Sequence, residues 1–344
     1  MKKTWKRILA LSLAILMILA TVVACGKSED EKDDSTIEVT ESPEEAKVLK
    51  VLTLGHSLAV DSGHLLNLIC STEGVGDYEE VIIGTLYYSG CTMKEHVEFM
   101  QNNSNEYSLY LSSSKTPDEP PKVMNSLNML TVIEYDYWDI VVMQDGVFNI
   151  AMSSSYSMGN SKTLQEFVNA NKLNTNVRFA WHMTWVPPTD KTLMDTFPHT
   201  PNSYYSNYEA YNSDRTTMYN AVIQCVNEHV VTDKTFEFII PSATAFENAL
   251  SSYMEEADIH RDYVHATDLG RVIASYTWYC KLMGIDKLEE VKLSVIPKAF
   301  LYSTTGVEEL VLTDMEKAVI LESVNNALAN PFKMTQSQYT QALK

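Results

Sequence analysis

The chain has 344 residues, 45% of them hydrophobic and 21% charged, with a formal net charge of −19. That apolar fraction excludes a disordered chain, and 45 acids against 26 bases exclude a nucleic-acid binder, which needs a basic face. Five cysteines are too few for a disulfide-stapled scaffold, and no CxxC pair offers a zinc site.

The N-terminus reads as an address. Lys2, Lys3, Lys6 and Arg7 precede a 17-residue apolar run, Ile8 to Ala24, broken only by Ser12 and Thr21. A positive flank and an apolar core too short to span a membrane predict a secretory signal over residues 1–24. The run ends Val-Val-Ala-Cys-Gly, which resembles a bacterial lipobox with Cys25 as the lipidated residue. Residues 25–46 follow as an acidic stalk, where nine acids and two lysines leave almost nothing apolar to bury. The expectation is an extracytoplasmic domain anchored to the cell membrane through Cys25.

From residue 47 the pattern changes. Val48 to Leu54 (VLKVLTL) predicts a buried strand, and Leu58 to Cys70 carry helical spacing. Glu80 to Leu86 predict a second strand. Glu106 to Pro121, rich in Ser, Tyr and Pro, read as loop. Asp139 to Gln144 predict a third strand, Lys162 to Leu173 a helix, and Asn176 to Trp185 a fourth strand. Val186 to Ser203 hold four prolines and read as an insertion loop. Glu209 to Val231 predict a long helix, Phe236 to Ile240 a fifth strand, and 267–283 and 314–329 two further helices.

Strands that alternate with helices and are continuously apolar belong in a parallel sheet covered on both faces. The predicted fold is therefore α/β, a single-domain three-layer sandwich of the flavodoxin-like kind, with a mostly parallel sheet of about five strands. The domain is expected to span 47–333, with 334–344 as a C-terminal tail.

Open parallel sheets bind ligands at the carboxyl ends of their strands. After the first strand come Gly55, His56 and Ser57, then Asp61. A serine at a sharp strand-to-helix turn exposes its hydroxyl beside free N–H groups. It also suits a plain N-cap, and the segment alone does not separate the two. Near the other end, Arg261-Asp262-Tyr263-Val264-His265 puts an acid three residues before a histidine, an arrangement that can orient a general base. An α/β-hydrolase elbow does not fit, because only one strand precedes Ser57.

A serine after the first strand and an Asp-x-x-His near the end resemble the SGNH, or GDSL-like, hydrolase superfamily, across residues 48–284. The resemblance implies a serine esterase with Ser57 as nucleophile, His265 as base and Asp262 as orienting acid. It matches Gly90 of YYSGCTMKEH to the oxyanion-hole glycine and Gln144 of VVMQDG to the hole asparagine. The sequence departs from that pattern at His56 and by the extra methylene of Gln144. A carboxamide N–H still donates to an oxyanion. Residues 261–265 also resemble the RDG-x-H ending of a subgroup that carries this glutamine, with Tyr263 in place of its glycine. The implied substrate is an acylated carbohydrate or another small ester, with no cofactor and no metal. The runner-up is a non-catalytic polysaccharide-binding lipoprotein on the same fold.

Other residues carry weaker expectations. His56 reads as a local hydrogen-bonding or substrate-contacting group. Trp181, His182 and Trp185 either line the pocket, where tryptophans suit a sugar face, or form a core aromatic cluster. Tyr204, Tyr205, Tyr208 and Tyr211 lie close together as a second candidate rim. His229 and His260 lack metal-ligand spacing. Cys70, Cys91, Cys225 and Cys280 read as buried small hydrophobes, with Cys91 beside Gly90. The leader's four bases and the stalk's nine acids and two bases leave −16 on the remainder. That charge disfavours anionic polymers.

Overall fold

A computed structural model describes residues 47–340 apart from 147–148, 158, 195–213 and 303–307. The leader, Cys25 and the stalk therefore lie outside the described residues, as do Tyr204, Tyr205, Tyr208 and Tyr211.

The sheet is built on β1 (Val48–Gly55), β2 (Glu80–Tyr87), β5 (Ile140–Met143), β6 (Arg178–His182) and β7 (Phe236–Ile240), all parallel to one another. These are the five strands legible in the sequence. Their apolar runs are continuous because both sides of each strand are covered. In β1, Leu49 and Val51 enter one core while Leu52 and Leu54 enter the other. In β5, Ile140 and Val142 face the first core, and Val141 and Met143 the second. Helices lie on both faces. The major ones are α1 (Ser57–Gly63), α2 (Leu66–Glu73), α3 (Met93–Gln101), α4 (Asn160–Asn171), α5 (Arg215–Cys225), α6 (Ser242–Leu250), α7 (Asp268–Leu282) and α8 (Asp314–Ala329). The result is the three-layer α/β sandwich expected.

Two further strands extend it. Residues 107–113 and 122–127 form β3 (Tyr107–Ser113) and β4 (Lys122–Leu127), added antiparallel beyond β2. The order is β4-β3-β2-β1-β5-β6-β7. The expected loop over 106–121 is thus mostly a strand and its turn. Its serines obscured a two-residue alternation: Tyr107 and Leu109 are buried, while Ser108 and Tyr110 are only partly covered. A small hairpin pairs β8 (Val295–Pro297) with β9 (Glu309–Val311).

Local chemistry explains several boundaries. The helix expected from Leu58 to Cys70 is two helices, α1 and α2, with a break at His64–Leu65. Thr92 and Thr313 open α3 and α8 with reciprocal capping boxes to Glu95 and Glu316. The long helix expected over 209–231 is α5 followed by a wide turn at Val226–Val230; residues 209–213 lie outside the description. Of the expected 186–203 insertion, Val186 is buried and Lys191–Met194 form one helical turn. The expected tail is held from 334 to 340. Thr335 N–H donates to Asn248 Oδ1 (2.7 Å), Ser337 N–H to Ser251 Oγ (2.9 Å), and Tyr339 packs on the core.

Candidate active site

The carboxyl ends of β2, β1 and β5 sit side by side. Gly55 pairs with Tyr87 of β2, and Leu54 with Met143 of β5. Their following loops therefore bring Gly90, Ser57 and Gln144 to one edge of the sheet. The turn after β1 needs a glycine: a Cβ on Gly55 would stand 2.7 Å from Ala59 Cβ and 3.2 Å from Gln144 Nε2.

His56, not Ser57, is the N-cap of α1. His56 Nδ1 accepts from Leu58 N–H (3.3 Å), and Nε2 donates to the Asp145 carbonyl (3.0 Å). One neutral tautomer satisfies both bonds, and burial drives the pKa down to about 4. His56 is fully buried, so the substrate contact expected of it is replaced by a structural bond between the β1 and β5 loops. Ser57 is then the first residue inside the helix. Its hydroxyl is released from capping and has no hydrogen-bond partner among the described residues.

Asp262 and His265 meet as the spacing suggested. His265 Nδ1 donates to Asp262 Oδ2 (2.9 Å) and lies 3.0 Å from Oδ1. Burial raises the Asp262 pKa, but hydrogen bonds from the His265 ring and from the N–H groups of His265 and Val264 outweigh it and hold the carboxyl at about 2. With Nδ1–H committed to the carboxylate, Nε2 is left as the basic nitrogen. The serine–histidine hydrogen bond is not formed here. Bonds of this kind are often long until substrate closes the site. Asp61, one turn beyond Ser57, accepts from Ala266 N–H (3.1 Å) and so ties the dyad's loop to α1.

Gly90 has φ +65°, is exposed, and nothing stands within 4 Å of where its Cβ would be. The residue type is thus set by backbone conformation. Asp145 braces this corner from within. Its buried carboxyl accepts from Met93 N–H (3.1 Å), Gly146 N–H (2.8 Å) and the Ser155 hydroxyl, and burial pushes its pKa up.

Gln144 is fully buried, and its two ends differ. His182 Nδ1 donates to Gln144 Oε1 (2.7 Å), and His182 Nε2 accepts from the Ser242 hydroxyl (3.0 Å). Burial holds the His182 pKa well below its usual value, so the ring is neutral and serves as a fixed donor. That leaves Gln144 Nε2 as an unpartnered buried donor. A carboxamide with its oxygen tied back and its NH₂ unspent is suited to a developing oxyanion.

The tryptophans do not form a rim. Trp185 is fully buried, stacks on Phe246 (ring centroids 4.5 Å apart) and donates to the Val264 carbonyl (2.8 Å). Trp181 is buried against Tyr156 and Phe236. Of the two readings open for Trp181, His182 and Trp185, the structure gives the core cluster. His229 meets Ser153, His260 is buried against the Val186 carbonyl, and Cys70, Cys91, Cys225 and Cys280 are buried and unbridged. Sequence reasoning assigned no role to Asp145, Ser242, Arg261 or Arg271, which hold other groups in place; Arg261, for one, lies 3.8 Å from Asp262 Oδ2 as well as against Asp61. The one available signal was Asp145's place immediately after Gln144.

No curated protein matches the chain. A crystal structure of a DUF4886 family protein from Bacteroides uniformis superposes with a TM-score of 0.66 at 21% identity, over 86% of this chain and 100% of that one. A Slackia heliotrinireducens protein described as a candidate SGNH hydrolase gives 0.40 at 15% identity over 68% of this chain and 98% of that one. A gut microbial diltiazem-metabolizing enzyme gives 0.37 at 12% identity over 70% and 48%. Scores as low as these last two carry no inference. The model of a domain of unknown function, DUF4886, matches residues 50–295, and the chain belongs to that family.

Proposed function

We propose that the protein is a serine ester hydrolase of the SGNH type. The observation that carries this reading is the Asp262–His265 dyad, its Nδ1–H committed to a carboxylate, on a loop bonded to the helix that Ser57 opens. His265 Nε2 takes the Ser57 proton as Oγ attacks an ester carbonyl. The oxyanion gathers the Ser57 N–H, the Gly90 N–H and Gln144 Nε2. His265 then protonates the leaving alcohol, and water repeats the cycle to free the acid.

The substrate we favour is an acylated carbohydrate or a small ester with a short acyl group such as acetyl. The acidity of the chain after the stalk, −16, fits neutral glycans better than anionic ones. The lipobox-like Cys25 supports a membrane-anchored, extracytoplasmic enzyme, with residues 1–24 as leader and 25–46 as stalk. A non-catalytic glycan-binding role is the weaker reading, since the tryptophans that would capture a sugar are buried.

A fluorophosphonate probe together with a p-nitrophenyl acetate assay tests this. Wild-type protein should label at Ser57 and hydrolyse the ester, and Ser57→Ala should lose both. Absence of labelling in folded wild-type protein, or full activity in Ser57→Ala, overturns the esterase reading.

A further inference from the structure

Asp61 stands four residues after Ser57, one helical turn along α1, and is fully buried. A lone buried carboxylate is costly, so its partners define its purpose. Ala266 N–H donates to Oδ2 (3.1 Å), and Arg261 Nη1 reaches Oδ1 and Oδ2 at 3.1 and 3.2 Å. Arg271, on the first turns of α7, adds Nε (2.9 Å) and Nη2 (2.8 Å) to Oδ1.

The placing of these partners is informative. Arg261 immediately precedes Asp262, and Ala266 immediately follows His265. One carboxylate therefore grips both ends of the segment that holds the dyad. The segment is also closed on itself, since Arg261 N–H donates to the His265 carbonyl (2.9 Å) and Arg261 Nη1 to the Ala266 carbonyl. Behind it, Arg271 pairs with Asp268 (3.2 Å), Asp268 accepts from Tyr302 N–H (3.0 Å), and the Tyr302 ring lies 3.9 Å from the Arg261 guanidinium. Gly270 lets the support pack closely: a Cβ there would meet the Ile259 carbonyl at 2.2 Å.

We propose that Asp61 is a positioning residue, which sets the His265–Asp262 dyad at a fixed distance from Ser57 through Arg261, Ala266 and Arg271. This rests on the esterase reading for its consequence, but not for its geometry. Nucleophile and base sit on segments about 200 residues apart in the chain, and the Asp61 carboxylate ties both to one rigid helical turn. An error of about 1 Å in such a separation costs on the order of 100-fold in rate.

The test compares wild type, Asp61→Asn and Arg261→Gln, the last keeping Asp61 paired with Arg271 and Ala266 N–H should Asp61→Asn not fold. Three quantities are read per folded molecule, well below each melting temperature. These are kcat and KM on p-nitrophenyl acetate, and the hydrogen-exchange rate of the 264–266 amides. The expected result is a kcat lowered by about 100-fold in Asp61→Asn and about 10-fold in Arg261→Gln. KM should stay within about threefold, and exchange should be faster at 264–266. A variant that melts earlier but keeps wild-type kcat and exchange shows a purely structural ion pair and overturns the proposal. If wild type is inactive on esters, the esterase reading falls. The exchange data then decide the clamp alone: unchanged protection in both variants overturns it.

Discussion

Acid should unfold this protein, and the reason lies in its histidines. His56, His96, His182 and His260 are fully buried and His64 is partly buried, and burial is the leading cause of each depressed pKa. His56 and His64 fall to about 4, His96 and His260 to about 3, and His182 well below its usual 6.5. Each ring is neutral when folded and free to take a proton when unfolded. Stability is therefore full above about pH 6.5 and declines as pH falls, the loss from each group ending only below its folded value. At pH 5.5 each of the four rings with a folded value of about 3 to 4 costs about 1.4 kcal/mol, together about 5.6, and His182 adds in the same direction. A typical domain has about 5–15 kcal/mol in total. The buried carboxyls of Asp145 and Glu247, raised by burial, work the other way and offset part of the loss. Urea unfolding followed by tryptophan fluorescence at pH 7.5, 6.5 and 5.5 reads the effect directly. With an m-value of about 3 kcal/mol/M, the midpoint should fall by about 2 M across that range. A midpoint unchanged between pH 7.5 and 5.5 would refute the reasoning, because it would require these rings to be protonated inside the fold or solvated.

Two further outcomes follow from the site. Gln144→Ala removes the proposed hole donor while leaving the dyad intact, so kcat on an aryl ester should fall by about 10²–10³ with KM little changed; a kcat within threefold of wild type would overturn that role for Gln144. Trp185→Ala deletes a core ring stacked on Phe246 and a hydrogen bond to the loop before His265, and should cost about 3–5 kcal/mol of stability without raising KM. A raised KM at unchanged stability would return Trp185 to the substrate face.

The five parallel strands were legible because each is a short apolar run whose successive residues enter two different cores, a pattern few other environments produce. The Asp262–His265 pair was legible for a local reason as well, since three residues of one loop suffice to bring the groups together. Strand β3, between β2 and the edge strand β4, was not legible. Its serines matched a loop composition, and pairing with β2 on one side and β4 on the other satisfies its backbone. Ser57 illustrates the limit most clearly. By composition it suits a helix cap as well as a nucleophile, and the cap position is taken by His56, whose bond to the Asp145 carbonyl spans 89 residues.

Residue type and spacing along the chain thus determined the layers, the strand order's parallel core and the chemistry available at its carboxyl edge. Tertiary structure decided which groups are spent and which are free. Trp181 and Trp185 were spent on packing, Gln144 Oε1 on His182, and Asp61 on two arginines, whereas Gln144 Nε2 and the Ser57 hydroxyl were left without partners among the described residues. A hydrogen-bond donor is satisfied or left open by atoms far away in the sequence, so its availability for catalysis is a property of the folded neighbourhood.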